Sequence, residues 1–456
     1  MGHIYLFATP AKRTLATACG YHAGMNLLRP VVKPYAWGSK DAIAELTGRP
    51  VPAPGPEAEL WMGAHPSGPS GLGGEGPTLD KLIAADPERE LGPDCVAAFG
   101  PRLPFLLKVL SAAKALSIQV HPSRAQAQAG FAAERDLAAD DPGRNYVDDW
   151  PKPELLLALT PFEVAAGLRT PADAAALLCA LDVRRLDPLA ASLDAAAPGV
   201  AGAQAMADAL ATILQWPAGD RSALVGDVVA ACARLASSDG PYASACAAAA
   251  RVAAEHQGDL GVIALLLMRH AILEPGQAVF MPAGGLHAYL RGTGIELLAN
   301  SDNVVRAGLT GKHLDVPELL KLLDPSVEVP IHAPRVLADG IGFYDTPAPE
   351  FRLYTLDLTA EPLALPGQGP RILLCLHGQA TLRPTPTSPA PAAPASPAPA
   401  AHASPAPSAP AGSESAPAST LELSRGQSCF VSAADGTIHA TGPARLVLAT
   451  PGVAPS

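Results

Sequence analysis

Short apolar runs broken by Gly and Pro fill the chain from Pro30 to about Val120, as in PVVKPYAWG, AELWMGAHPSGPSG, PRLPFLLKVLS and ALSIQVHP. Runs of this length between turn formers are strand signals. They predict a β-rich unit, with one helix over Lys40 to Leu46. From about Thr170 to His270 the pattern changes. In TPADAAALLCALDVRRLDPLAASLDAAA and SACAAAARVAAEHQ the apolar residues recur every three or four positions, the period of a helix face, and alanine and leucine favour that state. Strand text resumes with AILEPGQAVFMPAGGLHAYL, and VPELLKLL predicts another helix. After Pro330 the runs RLYTLDL, RILLCLHGQATL, TLELSRGQSCFVSA and ARLVLAT carry the rise, glycine and return of an antiparallel sandwich. The expected fold class is mainly β with a helical insertion (α+β). A discontinuous β unit covers 25–169 and 271–330, a helical unit 170–270, and a second β unit 331–456.

Two segments stand apart. Pro384 to Ala418 consists almost wholly of Pro, Ala and Ser; it cannot offset its ordering entropy by burial and is expected to be a disordered loop. Residues 1–24 read as a disordered tail or an over-called start, since regular text begins at Met25 and the bases follow the short apolar stretch, the wrong order for a secretory signal. No apolar run approaches the roughly 20 residues of a membrane span. Across 456 residues, 48% are hydrophobic and 16% charged, which excludes global disorder and predicts more than one core. The net charge of -11 gives no footprint for a nucleic acid. Seven scattered cysteines without a CxxC pair read as reduced thiols in a cytoplasmic protein.

The chemistry concentrates in three segments. Gly276 to His287, a glycine turn, a strand, a P-x-G turn and a histidine, has the spacing of the cupin jelly roll, which starts a strand with an inward metal-ligating histidine. Gln119 and His121 lie two apart on a predicted strand and so share a face. Glu154 follows Lys152-Pro153 into an apolar run, where it completes a tetrad of Gln119, His121, Glu154 and His287. A hydrogen-bonded turn histidine and a solvated Lys/Glu pair are the alternative readings of these segments. Oxygen and nitrogen donors without thiolate suit zinc first, then manganese, cobalt or iron. Downstream, Glu296 to Lys312 is dense in polar groups and is expected to line a wet cavity, with Arg306 and Lys312 able to bind an anion such as phosphate; a surface charge cluster is the other reading.

Taken together, YAWG (35–38), AELWMGAHP (58–66), FLLKVLS (105–111), ALSIQVHP (115–122), KPELLLALTPFE (152–163), HAYL (287–290) and SDNVVRAGLT (301–310) resemble the type I phosphomannose isomerase family, in the right order from about Met25 to the C-terminus. The resemblance implies two cupin-like jelly-roll β domains with an inserted α-helical domain. It implies one zinc per chain on Gln119, His121, Glu154 and His287, and Arg306 as the active-site arginine. Members interconvert mannose 6-phosphate and fructose 6-phosphate through a cis-enediol, feeding mannose metabolism and GDP-mannose synthesis. Lys152, Glu296 and Asp302 are candidates for the base; Ser117, Tyr289, Glu296, Asp302 and Lys312 are taken as substrate-binding. The partner expected is a hexose phosphate, with no nucleic acid, no membrane and a monomeric chain.

The text departs from the family in places. Trp150-Pro151 stands before Lys-Pro-Glu where Asn-His is common, so a role for that histidine does not transfer. Thr310-Gly311-Lys312 replaces Thr-Pro-Lys. In the C-terminal unit His377 and His439 lack paired partners, so that unit is expected to be metal-free. A non-catalytic sugar-binding cupin and an iron-dependent cupin oxygenase are the competing functions; the glutamine ligand and the phosphate-suited cations argue against the second.

Overall fold

The computed structural model describes residues 24–138, 140–385 and 420–453. Apart from their edge residues, the expected tail (1–24) and the Pro/Ala/Ser loop (384–418) lie outside them. The chain is a mixture of helix and strand rather than mainly β. Part of the difference is a set of short helices inside the unit read as β (25–169): Leu79–Ala85, Pro87–Leu91, Pro93–Phe99 and Arg124–Ala133. Their Gly and Pro residues act as helix punctuation. Pro87 and Pro93 sit in first turns, Gly92 and Gly100 close the last ones, and the Asp86 carboxylate caps by accepting the Arg89 N–H at 3.2 Å. Ser123 and Gln126 form a reciprocal capping box for Arg124–Ala133. Helices at Ala42–Leu46 and Val316–Leu322 match the expectation, and between the strands Phe162–Leu168 and Met268–Leu273 there are only helices, from Pro171–Leu181 to Gly261–Leu266.

The strands form two antiparallel sheets of eleven strands each. The spine of the first is the long strand His287–Ala299. Near its start it pairs with Ile118–Val120 and Phe162–Leu168; further on it pairs with Phe105–Ala112 and Glu154–Ala158. A register shift between Tyr289 and Arg291 separates the two ends, so one strand serves two sets of neighbours. In the second sheet Arg352–Leu358, Ala444–Thr450, Arg371–Pro384 and Ser428–Val431 lie side by side, and the first described strand, Asn26–Arg29, joins them with Asn26 opposite Phe430.

The sheets are joined by a shared apolar layer. Leu60, Phe105, Leu107, Leu155 and Ile295 from the first meet Phe351, Leu353, Ile372, Phe430 and Val447 from the second, all buried. A separate core unites the helical stretch with Ile118, Val120, Leu286 and Val305, next to the residues considered below. No helix of the described residues is long and apolar enough to cross a membrane.

Candidate active site

Three strands bring their ends to one point of the first sheet. Gln119 lies on Ile118–Val120 and His121 just beyond it, Glu154 opens Glu154–Ala158, and His287 opens the spine strand. Register does the placing: His287 and Arg306 both stand opposite Gln119, on its two neighbouring strands. Gly284 shapes the approach, because its φ of 80° and a Cβ that would fall 2.9 Å from Asp324 exclude other residues, and its N–H donates to the His121 carbonyl at 3.0 Å. His121, Glu154 and His287 are all buried, with donor atoms within 4.8 Å of one another. Each imidazole is oriented through Nδ1, which donates to a backbone carbonyl: His121 to Asn303 at 2.8 Å, His287 to Gly285 at 3.0 Å. That fixes the tautomer and turns both Nε2 lone pairs inward, where each lies 3.2 Å from a different Glu154 oxygen. The Gln119 amide is 3.2 Å from His287 Nε2.

Burial, with the Lys152 ammonium second, pulls the His121 imidazole down to about 4, so it is neutral and ready to ligate. Burial alone would raise Glu154, but Lys152, His121 and His287 outweigh it and hold the carboxyl well below its usual range. Lys152 is ion-paired with Glu154 and lies 3.4 Å from His121 Nε2. Two imidazoles with Nε2 turned towards a carboxylate, with an amide alongside, are a donor set fitted to a divalent cation.

Gln119 and Glu154 of this cluster line a cavity of about 670 Å³, together with Lys152, Ser117, Glu296, Asp302, Arg306 and Lys312 among others. On one wall Trp61, Lys108 and Glu296 stand in register across three strands. The Lys108 ammonium is 2.8 Å from Glu296 and 3.7 Å from Glu59, whose other oxygen accepts the Trp61 indole N–H at 2.6 Å. Burial first, then Glu154 and Glu59, raise the Glu296 carboxyl against the pull of Lys108. On the opposite wall Arg306 is half-buried and its pKa is lowered by burial; burial and Arg306 together lower Lys312. Among the described residues neither forms an ion pair. A half-buried guanidinium without a carboxylate is suited to an anionic ligand.

The phosphomannose isomerase type I catalytic domain, as a family model, matches residues 25–171. The mannose-6-phosphate isomerase of Salmonella typhimurium strain LT2 is 36% identical over 370 residues, covering 79% of this chain and 90% of that protein. The Escherichia coli K12 enzyme of the same name is 35% identical over 374 residues, covering 78% and 90%. The chain belongs to the mannose-6-phosphate isomerase family. A crystal structure of a mannose 6-phosphate isomerase bound with zinc and yttrium is similar across 94% of this chain and 100% of that one, with a TM-score of 0.78 and 32% identity.

Within this mannose-6-phosphate isomerase scaffold most residues singled out by sequence converge on the cavity. His121, His287 and Tyr289 are the exceptions: all three are buried and do not line the cavity, but each reaches Glu154, which does, the Tyr289 hydroxyl donating to Glu154 Oε2 at 3.3 Å. Asp302 has a partner that sequence reading did not give it. His65 Nδ1 accepts the Ser67 N–H at 3.1 Å, which leaves the proton on Nε2, 3.4 Å from the Asp302 carboxylate. Burial would raise Asp302, yet His65, Lys152 and Lys108 bring it down to about 2. The residues missed by sequence reading are Glu59, Trp61, His65 and Lys108. A lone lysine inside the apolar run FLLKVLS and a lone glutamate in AELWM were the available signals, since an unpaired charge is not buried at the centre of a sheet. Trp150, at the departure from the family text, is buried against Phe99 with the Arg102 guanidinium 3.7 Å over its ring. Its carbonyl accepts the Asn303 amide at 2.8 Å, linking it to the residue that orients His121.

Proposed function

We propose that the chain is a zinc-dependent aldose–ketose isomerase that interconverts D-mannose 6-phosphate and D-fructose 6-phosphate through a cis-enediol, supplying mannose metabolism and GDP-mannose synthesis. One observation carries the reading: Glu154, the carboxylate of a buried His/Glu/His set, lines the same cavity as the unpaired cations Arg306 and Lys312. The zinc of a structurally similar isomerase supports one zinc on Gln119, His121, Glu154 and His287. When bound, the ion supplies Lewis acidity at the O1/O2 edge of the open-chain sugar.

The protein's own residues do the rest. Lys312, with Ser117 on the same wall, takes the phosphate, and Arg306, opposite Gln119 on the next strand, stabilises charge developing on the substrate oxygens. Of the three base candidates, Lys152 is engaged by Glu154. Asp302, at about 2, is too weak a base for a carbon acid. Glu296 lies high for a carboxyl, closer to the working pH, and suits the proton transfer between C1 and C2. The proposed organisation is two cupin-like β domains, 25–169 with 271–330 and then 331–456, around a helical domain at 170–270.

The test is conversion of mannose 6-phosphate by purified protein before and after chelation and with zinc restored, beside Gln119→Ala, with deuterium incorporation from solvent at C2. Turnover that falls on chelation, returns with zinc and carries solvent deuterium is expected. A zinc-loaded protein that binds the sugar without turnover would leave only the sugar-binding cupin.

A further inference from the structure

One wall of the cavity comes from outside the first sheet. At the end of helix Ala243–Glu255, Glu255 and the following His256 reach the same cavity as Lys114, Arg306 and Lys312. Three residues on, Asp259 divides its carboxylate. Its Oδ1 accepts the Gly261 N–H at 2.7 Å at the start of helix Gly261–Leu266, and its Oδ2 accepts the Thr310 N–H at 3.3 Å. Thr310 Oγ1 in turn accepts the Lys312 N–H at 3.1 Å. A carboxylate of the helical stretch therefore grips the turn that carries Lys312, and that turn continues directly from the strand carrying Arg306.

The turn needs such a grip. Leu309, buried, has a φ of 57°, one of two non-glycine residues with positive φ among those described, and a left-handed leucine persists only where its surroundings impose it. Two glycines supply the contact. A Cβ on Gly308 would fall 2.7 Å from Gly261 Cα, and one on Gly261 would fall 2.8 Å from the Leu309 nitrogen, so the two backbones touch beside Asp259. Asp259 does not line the cavity. A carboxylate behind a turn meant for an anion opposes that anion's charge, so its service there is geometric.

We propose that Asp259 is the positioning residue of the phosphate end. Through Thr310 it sets the place of Lys312 relative to Arg306, and so gives the helical stretch control over selectivity for the phosphorylated sugar. This rests on the reading of Lys312 as the phosphate contact. The test uses the full zinc-loaded chain as Asp259→Asn, which keeps one acceptor oxygen, and Gly308→Ala, whose Cβ would fall 2.7 Å from Gly261 Cα and 3.1 Å from Asp259 Oδ1 and so pushes the turn off its support while leaving the carboxylate in place, with Lys312→Met as reference. In all three, KM for mannose 6-phosphate is expected to rise about tenfold, the size of one lost hydrogen bond to a charged group. The constant for competitive inhibition by inorganic phosphate weakens by the same factor, while kcat and zinc content stay within about twofold of wild type. An unchanged KM and phosphate inhibition in Asp259→Asn and Gly308→Ala, beside a raised KM in Lys312→Met, overturns the inference and leaves the phosphate reading standing. An unchanged KM in Lys312→Met overturns both. A fall in kcat and zinc content at constant KM makes Asp259 a support of the fold and also overturns the inference.

Discussion

The two sheets have the same strand count and pairing but bury different things. The first holds Lys108, Glu59, Glu296, Lys152, Glu154, His121 and His287 at 8% exposure or less. Among the described residues the second buries a single charge, Arg371 at the start of strand Arg371–Pro384; its other inner residues include Leu356, Leu373, Cys375, Leu382, Leu423, Cys429, Leu446 and Leu448, all fully buried. Seven ionisable groups in one sheet cost desolvation that their mutual pairing only partly offsets, whereas an apolar sheet gains from nearly every residue it covers. The shared layer between them lets the second sheet brace the first from behind. Strain and charge at the site are tolerated because the stability comes from elsewhere in the molecule.

The largest effect that would sharpen this contrast is on turnover. Glu154→Ala removes the one carboxylate between the two imidazoles and is expected to lower kcat/KM roughly 10³-fold, the scale of a lost electrostatic stabiliser, with zinc content falling in parallel by atomic absorption. Near wild-type turnover in that variant would break the assignment of the charged sheet to catalysis.

A stability pair comes next. Lys108→Met strands Glu296 and Glu59 in the first sheet and is expected to cost about 3–5 kcal/mol. Leu446→Ala opens a cavity in the second and costs about 2–5 kcal/mol. Urea unfolding reads both; the first also abolishes most activity, while the second leaves kcat unchanged at temperatures where the chain stays folded. Equal loss of kcat in the two would mean that the sheets are not divided in labour.

The smallest effect is an acid shift. Asp302, at about 2 against an ordinary value of 3.8, binds fewer protons folded than unfolded in that window. The stability it contributes is present above pH 3.8 and is lost as pH falls towards 2. His65→Phe removes the imidazole that holds it down, so the pH dependence of unfolding between those values should flatten. An unchanged slope would remove His65 from the account.

The convergence of Gln119, His121, Glu154 and His287 was legible because spacing is geometry: Gln119 and His121 two apart, a P-x-G turn before His287, and a carboxylate at a strand start each announce a direction. The helical stretch was legible from its period. What stayed hidden depended on partners far away in sequence. Nothing near Lys108 says that Glu296 will stand opposite it, and the GAHP text gives no reason for His65 to find Asp302. The helices between Leu79 and Phe99 were hidden because Gly and Pro mark helix ends and turns alike, and only the caps distinguish them.

The pairing of Asn26–Arg29 with Ser428–Val431 bears on how the chain is made. The first described strand finds its partner roughly four hundred residues later, which at roughly 5–20 residues per second of synthesis is a wait of roughly 20–80 s. For that time the second sheet cannot close, and the layer that braces the catalytic sheet is missing a side. A ribosome-bound chain therefore gains its full rigidity only after its last strands emerge, and a truncation at the C-terminus is felt first at the beginning of the protein.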